Sequence, residues 1–187
     1  EHTFSPNMHN FISETVHNNY VYGAWCVKPE DLKDAINGMR ALGISGINVT
    51  APHKVEVMKY IDVVTDGAKK LGSVNTVVNR DGKLYGYNTD ADGFCMALTK
   101  AGIEIENSRI LIIGAGGVVR PTLIRLIDNK PKSITVVNRT KSKVKMLAED
   151  ILKSTGFEVN TEIDKLEFDI VINLSLIHIS EPTRQEA

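Results

Sequence analysis

Three groups of residues have the types and spacing for chemistry. The first is a glycine cluster, Gly114-Ala115-Gly116-Gly117-Val118. It lies between the apolar run 110–113 and an amphipathic run holding Val119, Leu123, Ile124, Leu126 and Ile127. That order predicts buried strand, tight turn, helix. A turn with little side-chain bulk lets backbone N–H groups approach a pyrophosphate, and the helix N-terminus adds partial positive charge. An ordinary glycine-rich turn is the bland reading; the strand before and the helix after favour the first. Val119 stands at the third fingerprint position, where Gly or Ala is preferred, which predicts looser helix–strand packing.

The second group, Asn138-Arg139-Thr140, ends the predicted strand 133–137. Dinucleotide sites that take NAD usually carry an acid here for the ribose hydroxyls. This chain has none. Arg139 and Thr140, with Lys141 and Lys143 nearby, suit a 2′-phosphate, so the residues point to NADP over NAD. The alternative is a basic helix start that happens to follow a strand.

The third group, Asn48-Val49-Thr50-Ala51-Pro52-His53-Lys54, follows the predicted strand 44–49. Ligands in open α/β sheets sit beyond the carboxyl ends of strands. Lys54 is either part of such a site or a solvated surface lysine. His53 has no metal-spaced partner and reads as a loop histidine. Ser5 either caps the helix that starts at Ser5-Pro6 or offers a hydroxyl to a carboxylate at that helix N-terminus. Asp90 and Thr89 are candidate caps for the helix reaching Leu98. Asn75 can satisfy backbone groups within its own strand.

The elements that would position these residues follow from periodicity. Residues 5–16 predict a helix, 20–27 a strand, 29–42 a helix ended by Gly43, and 44–49 a strand. A crossover of that length predicts that the two strands pair in parallel. Residues 66–71 predict a short helix. Residues 73–80 and 83–88 predict a hairpin about Asp81-Gly82. Beyond the glycine turn come strand 133–137, helix 141–153 and two short strands, 157–159 and 168–172.

Bulk properties set bounds. The 187 residues suffice for one domain or two small ones, and 22 basic against 23 acidic residues give a net charge of −1. That balance gives no whole-chain reason to expect nucleic acid or a membrane surface as partner. Cys26 and Cys95 both fall in apolar patterns and are expected to be buried thiols, which fits a reducing, cytoplasmic compartment. No apolar run approaches the ~20 residues of a membrane span. The chain begins at Glu1 without a methionine, so the absence of a leader carries no weight.

Taken together the motifs resemble the shikimate dehydrogenase family. They run in order: His2-Thr3-Phe4-Ser5-Pro6-Asn7-Met8-His9-Asn10, Gly46 to Lys54, Gly72-Ser73-Val74-Asn75-Thr76, Gly86-Tyr87-Asn88-Thr89-Asp90-Ala91-Asp92-Gly93, Gly114 to Gly117, and Asn138 to Thr140. The resemblance implies an α/β chain with an N-terminal substrate domain over 1–100. A truncated Rossmann-type NADP-binding domain would follow over 101–173. It implies reversible NADPH-dependent reduction of 3-dehydroshikimate to shikimate. Lys54 would be the acid/base and Asp90 its partner. Thr3 and Ser5 would hold the substrate carboxylate, and Thr50, Asn75 and Asp90 its ring and hydroxyls. Gly114 to Val118 would take the pyrophosphate and Asn138 to Lys143 the 2′-phosphate, with Asp66 toward the nicotinamide. Thr3 replaces the family's usual serine. An NAD-preferring quinate/shikimate dehydrogenase is the alternative, which the basic Asn138-Arg139-Thr140 segment disfavours.

After Asn173 the family's threonine-rich turn toward Gly and Met is absent. Residues 174–187 read instead as the in-frame translation of a sequencing-library adapter, a non-native tail; a divergent strand is the other reading. On the adapter reading the nicotinamide-side loop and the last helices, with their substrate-site glutamine and tyrosine, lie outside the chain. The expectation is then an inactive fragment with uncovered strand edges.

Overall fold

The computed structural model describes residues 3–175. Of the segment read as a tail, Leu174 and Ser175 are described and the rest lies outside the described residues. Two separate sheets organise the chain, each with its own apolar core.

The first sheet has four strands in the order β1 (Gly46–Asn48), β3 (Thr76–Arg80), β4 (Lys83–Tyr87), β2 (Val63–Val64). The β3–β4 hairpin is antiparallel and turns at Asp81-Gly82, both with positive φ (52° and 84°), as a two-residue hairpin loop favours. β2 joins β4 in parallel. Helix α2 (Leu32–Ala41) buries Leu32, Ile36 and Met39, spaced one turn apart, against Val57, Val74, Val77 and Leu84.

Residues 20–27 do not form a strand. Side chains of helix α1 (Ser5–Thr15) bond the backbone groups of Tyr20 and Tyr22 instead. Asn10 Nδ2 donates to the Tyr22 carbonyl (3.0 Å), Tyr22 N–H donates to Asn10 Oδ1 (2.7 Å), and Ser13 Oγ donates to the Tyr20 carbonyl (3.0 Å). The expected parallel pair is therefore absent, and β1 pairs with β3 antiparallel. Cys26, expected to be buried, is exposed because its segment has no sheet to lie in. Val21 and Trp25 are exposed for the same reason.

The second sheet is parallel, in the order β6 (Ser133–Val137), β5 (Arg109–Ile113), β7 (Ile170–Asn173). Ile110, Leu111 and Ile112 are buried in succession, so both faces of β5 are covered, as a central parallel strand requires. Helices α5 (Val119–Asp128) and α6 (Lys141–Thr155) contribute Leu123, Ile124, Leu126, Val144 and Ile151 to the same core. β7 is an edge, with Val171 exposed. Residues 157–159 are not a strand; Asn160 alone bridges to Thr135.

The two sheets are tied through helices. Leu71 of α3 (Asp66–Leu71), with Ala91 and Cys95 of α4 (Asp90–Lys100), joins the second sheet's core. Arg120 Nη1 donates to the Leu71 carbonyl (2.8 Å), and its Nε donates to Asp150 Oδ2 (2.6 Å). Lys70 Nζ pairs with Asp128 Oδ1 (2.6 Å), and Arg125 pairs with Asp92. Among the described residues no helix is long and apolar enough to cross a membrane.

Candidate active site

Lys54, Asn75 and Asp90 come together at one end of the first sheet. Lys54 Nζ donates to Asp90 Oδ2 at 2.7 Å, and Asn75 Nδ2 donates to Asp90 Oδ1 at 2.7 Å. Each carboxylate oxygen thus has its own donor. The Lys54 side chain is 25% exposed and that of Asp90 48%, so the pair borders solvent and can reach a ligand.

Backbone bonds place the three residues. Lys54 C=O accepts the Val74 N–H (2.8 Å), which pins the loop after β1 beside the entry to β3. Asn75 C=O accepts the Val49 N–H (2.7 Å), and its own N–H donates to the Tyr87 carbonyl (3.0 Å). Asp90 opens α4, where the helix dipole favours a carboxylate. Neither Thr89 nor Asp90 caps that helix with its side chain. Asn88 supplies the local contact: its Oδ1 accepts the Asp90 N–H (3.1 Å), and its Nδ2 donates to Ser73 Oγ (2.8 Å). The Asp90 carboxylate is thereby left for Lys54 and Asn75.

The other sequence candidates occupy defined places. Ser5 is the first residue of α1, not its cap. Thr3 Oγ1 accepts the Ser5 N–H (3.2 Å) and donates to Ser5 Oγ (3.1 Å), so the two hydroxyls form one cluster. Thr50 is exposed between β1 and the cis Ala51–Pro52 bond, and its carbonyl accepts the His53 N–H. His53 Nε2 lies 2.9 Å from the Val27 carbonyl. Asp66 is fully exposed at the start of α3, with Lys69 Nζ at 3.5 Å.

Sequence reasoning passed over Tyr22, Asn48 and Thr76 as site residues. Tyr22 OH donates to Asn48 Oδ1 (2.9 Å), Asn48 Nδ2 to Thr76 Oγ1 (3.2 Å), and Thr76 Oγ1 to Asn75 Oδ1 (2.9 Å). Asn48 and Thr76 stand in the motifs that carry the resemblance. Tyr22 had no signal, because its segment read as a strand.

The glycine turn follows β5 directly. Gly114 has φ +125°, and a Cβ there would lie 2.9 Å from Leu174 carbonyl atoms and from Ser175 N; only glycine fits. Gly116, Gly117 and Val118 are exposed, and a Cβ on either Gly116 or Gly117 would meet nothing within 4 Å. Open backbone ahead of the ten-residue α5 fits a dinucleotide pyrophosphate. Val119 is fully buried in the core of the second sheet. Because Ile113 is in register with Val137, Asn138, Arg139 and Thr140 emerge beside the glycine turn. Arg139, Thr140, Lys141 and Lys143 are exposed there, a basic group suited to a phosphate.

Comparison with known proteins accords with this geometry. A model described as the shikimate dehydrogenase substrate binding domain matches residues 1–77, and one described as shikimate / quinate 5-dehydrogenase matches residues 96–175. A protein named shikimate dehydrogenase (NADP(+)) from Nitrosopumilus maritimus is 39% identical over 183 residues, covering 95% of this chain and 67% of the relative. This chain belongs to the shikimate dehydrogenase family. A shikimate dehydrogenase (NADP(+)) from Geobacillus is 45% identical over 181 residues, covering 94% of this chain and 65% of that protein. The solved shikimate 5-dehydrogenase of Thermus thermophilus, in complex with NADP(H) and shikimate, superposes with TM-score 0.82 at 32% identity, over 92% of this chain and 64% of that one. The chain thus spans about two thirds of the length of its shikimate dehydrogenase relatives. The fold is α/β, the first sheet beginning within the stretch matched as a substrate binding domain and the parallel, Rossmann-like second sheet lying within residues 96–175.

Proposed function

We propose that this chain carries the substrate site and part of the cofactor site of an NADP-dependent shikimate dehydrogenase, with residues 1–100 as the substrate unit and 101–173 as the cofactor unit. The reaction is the reversible reduction of 3-dehydroshikimate to shikimate. The observation that carries this reading is the Lys54–Asp90 pair at 2.7 Å, seated on Asn75 at the border with solvent.

Carbonyl reduction needs a proton at the oxygen as that oxygen gains charge. The Lys54 ammonium supplies charge stabilisation and the proton at one atom, Nζ. Asp90 orients it. NADPH, when bound, supplies the hydride to the carbonyl carbon. In the reverse direction neutral Lys54 accepts the hydroxyl proton. Asp90 and Thr50 present carboxylate and hydroxyl groups to a hydroxylated ring, and the buried Asn75 amide serves that ring site from beneath through its bond to Asp90. Thr3 and Ser5 form a hydroxyl pair suited to the ring carboxylate.

The exposed Gly116-Gly117-Val118 backbone, flanked by Gly114 and Ala115, supports a pyrophosphate site. Asn138, Arg139, Thr140 and Lys143 support a 2′-phosphate site, which favours NADP over NAD. Asp66 is assigned to the nicotinamide side. The test is calorimetric titration of the chain with shikimate, NADP and NAD. Shikimate binding that is lost in Lys54→Ala, with NADP tighter than NAD, is the expected result. No shikimate binding by the wild-type chain would overturn the substrate assignment, and NAD tighter than NADP would overturn the cofactor preference.

A further inference from the structure

The side chains running from Tyr22 to Asp90 form a chain of hydrogen bonds whose sense is fixed. The fixed point is the Thr89 backbone N–H, which can only donate. It lies 2.9 Å from Asn75 Oδ1, so the buried Asn75 amide has one orientation, with its Nδ2 toward Asp90. Thr76 Oγ1 is 2.9 Å from the same Oδ1. Between two oxygens the hydroxyl must supply the hydrogen. Thr76 has then spent its only proton and must accept from Asn48, which therefore presents Nδ2 at 3.2 Å. That leaves Asn48 Oδ1 facing Tyr22 OH at 2.9 Å, and the phenol must donate.

Tyr22 is well placed to hold this end. Its ring stacks on His9 with centroids 4.2 Å apart and planes 10° from parallel. Its backbone N–H and C=O are both bonded to the Asn10 amide. Burial pushes the Tyr22 phenol up from its ordinary range.

We propose that Tyr22 is a positioning residue for the Asp90–Lys54 pair, acting through Asn48, Thr76 and Asn75. Removing its hydroxyl leaves the Asn48 carbonyl without a donor and frees that amide to rotate. Thr76 then loses its fixed donor, and the amide beneath Asp90 loses one of its restraints. The inference rests on the proposed substrate site only for its ligand-binding arm.

The experiment uses the whole chain as wild type, Tyr22→Phe and Thr76→Val, with Tyr60→Phe as control, because Tyr60 bonds Glu56 outside the chain of contacts. The first readout is the side-chain amide NMR signals of Asn48 and Asn75. Tyr22→Phe is expected to move both, although Asn75 does not touch Tyr22, while the melting temperature stays near wild type. Thr76→Val breaks the chain at its centre and is expected to move the same signals; Tyr60→Phe is not. Asn75 signals in Tyr22→Phe that superimpose on wild type would overturn the proposal. The second readout is shikimate affinity, expected to fall roughly five- to tenfold in both variants. Moved signals with unchanged affinity would reduce Tyr22 to a structural role and also overturn it. If wild type binds no shikimate, the substrate reading fails by itself and the amide signals still decide this one.

Discussion

The guanidinium of Arg120 occupies the space a side chain at Gly72 would need. A Cβ on Gly72, where φ is +70°, would lie 2.8 Å from Arg120 Nη1. Arg120 follows the glycine turn by three residues, and Gly72 closes α3. The arginine is spent on the Leu71 carbonyl and Asp150. One residue of α5 thus caps the end of α3.

Gly72→Ala should destabilise the chain by about 1–2 kcal/mol through the left-handed backbone, before any displacement of Arg120 is added. Arg120→Ala should cost a similar amount by leaving the Leu71 carbonyl short of a donor. Because the two residues touch, the double variant should be less destabilised than the sum. Urea unfolding of the four proteins measures this, and strict additivity would mean the contact carries no energy.

Lys54→Ala in an enzyme of the full family length should lower turnover by about 10²–10⁴-fold, the usual contribution of a general acid. NADP affinity should barely change, because Lys54 is bonded to Asp90 and not to the glycine turn. Steady-state rates paired with cofactor titration separate the two effects. Wild-type-like turnover would remove Lys54 from the acid/base role.

Arg139→Ala and Lys143→Ala should each weaken NADP roughly tenfold, the order of one charge-assisted phosphate contact. NAD, lacking the 2′-phosphate, should bind the variants as it binds wild type. Equal losses for both cofactors would point instead to a collapsed α6 N-terminus.

Asp169 gives a pH prediction of definite sign. Hydrogen bonds from the Arg109 side chain, then from its backbone N–H, hold the Asp169 carboxyl down at about 2, against 3.8 ordinarily. A lowered folded-state value means the contribution is present above the unfolded value and is lost as pH falls toward 2. Asp169→Asn should therefore be less stable than wild type at neutral pH. The gap should close between roughly pH 4 and pH 2, as thermal melts across that range would show. A constant gap would mean that the pair is not the source.

Much of the candidate site was legible in the sequence because its residues sit in short motifs tied to element ends. The glycine turn needed only an apolar strand before it and an amphipathic helix after it. The exposed basic group holding Arg139 and Lys143 needed only its position past β6. The hairpin about Asp81-Gly82 follows from local turn preference. Each is settled within a few residues of itself.

What the tertiary structure alone decided is pairing over distance. Residues 20–27 have strand composition, yet a strand needs a partner strand, and among the described residues none pairs with them; the Asn10 and Ser13 side chains of α1 bond the Tyr22 and Tyr20 backbone groups instead. β1 pairs antiparallel with β3, and Cys26 is exposed. Asp90 as cap or as partner of Lys54 could not be told apart by spacing, since either fits a helix start. The answer lay in Asn88 bonding the Asp90 N–H and in a lysine 36 residues away, brought to 2.7 Å by the folded first sheet. Sequence determined which groups were available; long-range backbone hydrogen bonding and burial determined which of them met.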